Sequence, residues 1–194
     1  MARARRLTPV GIAILALLVR EPLHPYEMRH RIRVQELDRI MKFTHGTLYS
    51  TVERLAADEL IEPVEVNREG RRPERTVYQV TDAGRDQLTD ALRDGLMRSV
   101  SEYPALATAL AFASLLTPQE VAQLLDRRRI TLEARLSANN AAIDATLKQG
   151  LPRINLIETE YVTALLRAES DWLASAVDDI RTGRLTWGEA NAQG

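Results

Sequence analysis

The chain of 194 residues contains no cysteine. That excludes disulfides, thiolate metal or iron–sulfur sites, and thiol catalysis or redox sensing. Aromatic residues are scarce at 5%, and there are only three histidines. His24, His30 and His45 show no metal-ligand spacing and have no paired carboxylates beside them, so no metal and no cofactor are expected. No apolar run approaches the twenty or so residues of a membrane span. The nearest, Val10 to Val19, is bounded by Pro9 and Pro22 and lacks the small-residue cleavage site of a secretory leader. A cytoplasmic protein with no membrane partner is expected. The sequence has no phosphate loop, no Ser/His/Asp arrangement and no dinucleotide fingerprint. Glu158, Glu160, Asp178 and Asp179 lie off the apolar stripe of their helix, where charge is ordinarily solvated. No residues are left to carry catalysis, and the chain is not read as an enzyme.

What is present is a folded composition, 45% apolar and 27% charged. The net charge of −1 hides a modest asymmetry. Up to Arg85 there are fifteen basic and twelve acidic side chains out of 26 and 27, so any nucleic-acid surface belongs to the first half. Thr8-Pro9 and His24-Pro25 are helix starts, each placing proline where its missing N–H costs nothing. Thr44 caps a third helix with Leu48, Val52 and Leu55 facing inward and His45, Thr47, Ser50, Glu53 and Arg54 facing outward. After Leu60 the period changes to alternation. Glu62–Val66 and Thr76–Val80 read as two strands joined by a polar loop that carries Arg68, Arg71, Arg72 and Arg75. Three helices followed by a basic hairpin is the order of a winged helix-turn-helix.

Thr81 caps a fourth helix, and the rest of the chain reads as helical. Ala105 to Leu116 is apolar nearly all round and is expected to be buried. Thr117-Pro118 starts a long helix, Gly150-Leu-Pro152 is a turn, and a last helix carries Ile154, Ile157, Tyr161, Leu165, Ala168, Trp172, Ala176 and Ile180. Two arms of roughly thirty residues, about 45 Å each, cannot bury such wide apolar faces against each other alone. A second subunit is expected. The fold class is therefore mainly α: a winged helix-turn-helix DNA-binding domain over residues 1–84, and an all-helical dimerisation and effector-binding domain over residues 85–194.

The fragments His24-Pro25-Tyr26-Glu27, Gly46-Thr47-Leu48-Tyr49, Arg54-Leu55, Leu60-Ile61, Arg71-Arg72 with Val77-Tyr78, and Val80-Thr81-Asp82-Ala83-Gly84 occur in order between Leu7 and Gly84. In this the sequence resembles the PadR family of bacterial regulators, and Leu151-Pro152-Arg153 with the helical second half is similar to its longer branch. Pro25 stands where the family usually has glycine and pre-sets the helix start. The resemblance implies a homodimeric repressor on a dyad-symmetric, double-stranded operator, released by a small ligand, aromatic acids and drugs being the family's usual context. The alternative is a winged-helix protein–protein interaction module without sequence-specific DNA binding. The run of Lys42, Arg54, Arg71, Arg72 and Arg75 speaks against it. A MarR-type regulator would place a dimerising helix before the motif, which here begins by Thr8.

His45, Thr47, Ser50 and Arg54 are the candidates for reading bases from the major groove, with Thr44 at the cap beside them. Gly46 admits a phosphate close to the helix N-terminus, where the dipole favours an anion. Tyr49, Lys42 and Arg29 are phosphate candidates, as are Arg71, Arg72 and Arg75 of the wing. Tyr26 suits either core packing or a phosphate contact. Ile157, Tyr161, Leu165, Trp172 and Phe112 are candidates for the dimer interface, and the aromatic ones also suit stacking on a flat ligand. Asn139 and Asn140 interrupt an apolar stripe, either tolerating exposure or fixing register.

Overall fold

The computed structural model describes residues 6–67, 75–99 and 104–187. The order of elements is α1 (Pro9–Arg20), α2 (Pro25–Val34), α3 (His45–Ala57), β1 (Ile61–Asn67), β2 (Arg75–Val80), α4 (Asp82–Met97), α5 (Ala105–Ala111), α6 (Pro118–Lys148) and α7 (Ile157–Arg181). Single 3-10 turns occur at Leu37–Arg39, Ala113–Leu115 and Arg153–Asn155. The mainly α architecture with a two-stranded wing is the one expected. Among the described residues no helix is long and apolar enough to cross a membrane. None of their His, Asp and Glu side chains form a group of three able to hold a metal ion.

Five of the seven described α-helices begin where a side chain satisfies one of their first N–H groups, and α5 and α7 have no such cap. Thr8, Thr44, Thr81 and Thr117 accept from Gly11, Thr47, Gly84 and Glu120 respectively. At α2 the His24 side chain accepts from the backbone of Tyr26, while Glu27 accepts from the His24 N–H. β1 and β2 are antiparallel, pairing Ile61 with Val80, and slip between Pro63 and Glu65. Pro63 has no N–H to give the ladder, so an irregularity there is cheap. Leu23 exchanges both backbone hydrogen bonds with Tyr78, which ties the α1–α2 connection to the hairpin.

The chain divides into two compact units, Met1–Ser101 and Glu102–Gly194. The core of the first gathers Ile14 and Leu15 of α1, Met28 and Ile32 of α2, Leu48 and Leu55 of α3, and Ile61 of β1, all fully buried. Leu88 of α4 completes it. The division therefore falls after Ser101 and not after Gly84, because α4 packs on α1 and supplies part of the first core. Gly84 is needed at that junction: a Cβ there would lie 2.1 Å from the Leu60 carbonyl oxygen.

In the second unit α6 and α7 form an antiparallel hairpin around Gly150, whose φ of +73° suits glycine. Val121, Leu125 and Leu132 of α6 meet Leu166, Leu173, Val177 and Ile180 of α7. Asn139 Nδ2 donates to the buried Thr163 Oγ1 at 3.1 Å, joining α6 to α7. Two expectations need correction. The segment from Ala105 is a short helix with no buried residue, followed by a 3-10 turn. Leu106, Leu110 and Ala113 are half-buried against the α6–α7 core, and the rest of the segment is exposed. The last helix starts at Ile157 and not at Ile154, after the turn at Arg153–Asn155.

Candidate nucleic-acid interface

The third helix is fixed from both sides of its first turn. Thr44 Oγ1 accepts from the Thr47 N–H at 3.2 Å, and Thr47 Oγ1 accepts from the Thr44 N–H at 2.8 Å. This is a capping box with threonine at the third helical position, where glutamate or glutamine is usual. Both hydroxyls are thereby committed within the first turn. Leu48, Thr51, Val52 and Leu55 form the buried face, and His45, Gly46, Ser50 and Glu53 are exposed on the other. The His45 and Tyr49 rings lie 4.5 Å apart with a 54° tilt, so the half-buried Tyr49 fixes the position of the exposed imidazole. Gly46 has open space where a Cβ would stand, so nothing inside the chain requires glycine there.

Lys42 is exposed just before α3. Tyr26, on the first turn of α2, is 65% exposed, which removes core packing as its role. Arg29 is half-buried. Arg54 departs from the outward assignment. It flanks the buried Thr51 and Leu55, and its Nη2 donates to Thr8 Oγ1 at 3.2 Å, tying α3 to the cap of α1. Nothing in the local sequence signals that bond, because its partner is forty-six residues away. Arg71 and Arg72, like Arg3, Arg5, Arg68 and Tyr103, lie outside the described residues. Arg75 opens β2, with its side chain outside what is described.

The second unit keeps one face of α7 for its own core and leaves another open. Ile157, Tyr161, Leu165 and Trp172 recur at helical spacing and are 47% to 65% exposed. Phe112, beyond α5, is 63% exposed. Among the described residues these five share no packed site. Beyond the end of α7, at Gly183, the chain turns back and Trp187 Nε1 donates to the Leu116 carbonyl at 2.9 Å. Sequence reasoning passed over Trp187, since one tryptophan in a polar tail has no periodic signal.

The PadR-like transcriptional regulator family model matches residues 14–90, a span running from within α1 to within α4. Among curated proteins none matches the chain. PadR of Bacillus subtilis in complex with operator DNA superposes with a TM-score of 0.71 at 20% identity, over 91% of this chain and 99% of that one. The same protein in complex with p-coumaric acid gives 0.71 at 19% identity, over 90% and 99%. The PadR-like regulator BC1756 of Bacillus cereus gives 0.63 at 14%, over 90% and 99%. At these identities the structures establish a common fold, and it extends through both units.

Proposed function

We propose, for a chain that carries the PadR-like transcriptional regulator domain over residues 14–90, that it is a homodimeric repressor. It binds a dyad-symmetric operator through α3 and the wing, and a small ligand releases it. The observation that carries this reading is the outer face of α3. His45, Gly46 and Ser50 are exposed there, with the exposed Lys42 just before the helix, and none of the four belongs to the first core. The operator DNA and p-coumaric acid bound by the B. subtilis protein support the same reading.

In this reading His45 and Ser50 meet base edges, and the Thr47 methyl suits the methyl group of thymine. Gly46 lets a phosphate approach the start of α3, and Lys42 and the Tyr26 hydroxyl bind further phosphates. Arg71, Arg72 and Arg75 of the wing position the protein on the backbone or in the minor groove. Ile157, Tyr161, Leu165, Trp172 and Phe112 meet a second copy. Twofold symmetry then puts the half-sites about ten base pairs apart, or a multiple of that. The test is a binding series on specific and random DNA at several salt concentrations. Two subunits neutralising roughly six to eight phosphates give a log–log slope of about −5 to −7. Ser50→Ala is expected to lose discrimination between sequences, and Arg71→Ala with Arg72→Ala to weaken all sequences alike. A slope near zero would establish the protein-docking alternative instead.

A further inference from the structure

Leu48, Val52 and Leu55 give α3 an apolar seat in the first unit. Hydrophobic burial is non-directional, so such a seat alone leaves the angle of a helix weakly defined. A directional contact is added near the other end of α3. Arg54 Nη2 donates to Thr8 Oγ1 at 3.2 Å, and the same oxygen accepts from the Gly11 N–H at 3.2 Å. Among the described residues this is the only side-chain hydrogen bond between α3 and another element. Thr51, three residues earlier on the same side of α3, meets the same turn of α1: a Cβ on Gly11 would lie 3.8 Å from Thr51 Cγ2. His45 stands about 13 Å up the helix from Arg54 at 1.5 Å per residue. A tilt of about 5° at Arg54 would therefore displace His45 by about 1 Å, enough to spoil a hydrogen bond.

We propose that Arg54 is a positioning residue for sequence reading. Its guanidinium, held on the cap of α1, sets the angle at which α3 presents His45 and Ser50, and it does not itself touch the DNA. A hydrogen bond with a charged donor suits this work, being stronger than a neutral one. α4 packs on the same α1, so one helix is the reference for both. This role rests on the DNA-binding reading above and reassigns one residue of the outward set.

The test measures binding of the full-length protein to random DNA and to fragments selected by the wild type. Arg54→Met leaves the α1 cap in place, and Thr8→Val removes the acceptor while keeping the charge. Each is expected to lower the ratio of selected to random affinity about tenfold. The double variant is expected to lose about tenfold as well and not a hundredfold, because both changes break one bond. Thr8→Ser, which keeps the acceptor, is expected to retain the wild-type ratio. The salt slope of Arg54→Met is expected to hold, whereas losing a phosphate contact in each subunit would flatten it by about 1.8. That slope decides the matter if Thr8→Val does not fold. Losses that multiply, a flatter slope, or a folded Thr8→Val protein with the wild-type ratio would each overturn the proposal and place Arg54 on the DNA. A wild type that selects no sequence would overturn the DNA-binding reading and this role together, while multiplying losses in a protein that does select would overturn this role alone.

Discussion

The two units solve the burial problem differently. In the first, helices from three directions and a hairpin converge on one point, and Ile14, Leu15, Met28, Ile32, Leu48, Leu55 and Ile61 are sealed from solvent. In the second, two long helices meet along a line. A helix pair has only one inner seam, so a helix that is apolar on two sides must leave one side out. Leu166, Leu173, Val177 and Ile180 of α7 are inside, while Ile157, Tyr161, Leu165 and Trp172 are not. The first unit closes its core within one chain. The second leaves an apolar face of α7 open, the face proposed above to meet a second copy.

The comparison is broken most sharply by placing charge on the open face of α7. Tyr161→Glu with Leu165→Glu is expected to cost about 4 kcal/mol of association, near a thousandfold in the dimer dissociation constant. Sedimentation would show monomers, while circular dichroism would remain helical, because neither residue belongs to the inner seam. A dimer of unchanged strength would show that association uses another face. Next in size is Gly84→Ala, whose Cβ meets backbone and not a yielding side chain; a loss of about 3 kcal/mol is expected. Both tryptophans lie in the second unit, so their fluorescence reports that unit alone. The substitution is expected to lower the overall dichroism transition and leave the fluorescence transition in place. A fluorescence transition that moved equally would mean that the two units unfold as one.

Smaller effects sharpen the same contrast. Thr44→Ala removes one half of the reciprocal cap and is expected to destabilise the first unit by about 1 kcal/mol. Operator affinity is expected to fall with it, as filter binding would show. In the second unit the side-chain hydrogen bonds of Arg129 and then Arg181 hold the Asp126 carboxyl below the usual carboxylate range. A folded-state value lower than the unfolded one means that the stabilisation is fully present above about pH 4 to 5. It is lost as the pH falls through the folded value. Asp126→Asn is expected to flatten the acid limb of the fluorescence-detected stability, and an unchanged limb would remove Asp126 from the account.

Much of the fold was legible because its signals are local. Thr8-Pro9, His24-Pro25, Thr44, Thr81 and Thr117-Pro118 each start a helix, and each of the four threonines makes the capping bond. The change of period after Leu60 marked the hairpin for the same reason. What was hidden depends on distant partners. Both sides of α7 are apolar, and the side that faces α6 is the one carrying Thr163, Leu166, Leu173 and Val177. Ala105 to Leu116 reads as buried because it is apolar, but within the chain just Leu106, Leu110 and Ala113 of it are partly covered. In the candidate interface, His45, Ser50 and Lys42 are exposed as their positions suggest, while Arg54 is drawn to Thr8 by a partner the helical period does not reveal.

The reciprocal bonds between Thr44 and Thr47 have a thermodynamic consequence. A helix whose first turn frays in solution must be ordered when it meets a ligand, and that ordering adds an unfavourable entropy and its own heat-capacity signature to association. Here the first turn of α3 is closed by its own side chains before any ligand arrives. For this helix, the heat-capacity change on binding should reflect only the surface removed from water, with no contribution from helix formation. Thr44→Ala should restore that contribution, making the enthalpy of binding more negative even as the affinity declines.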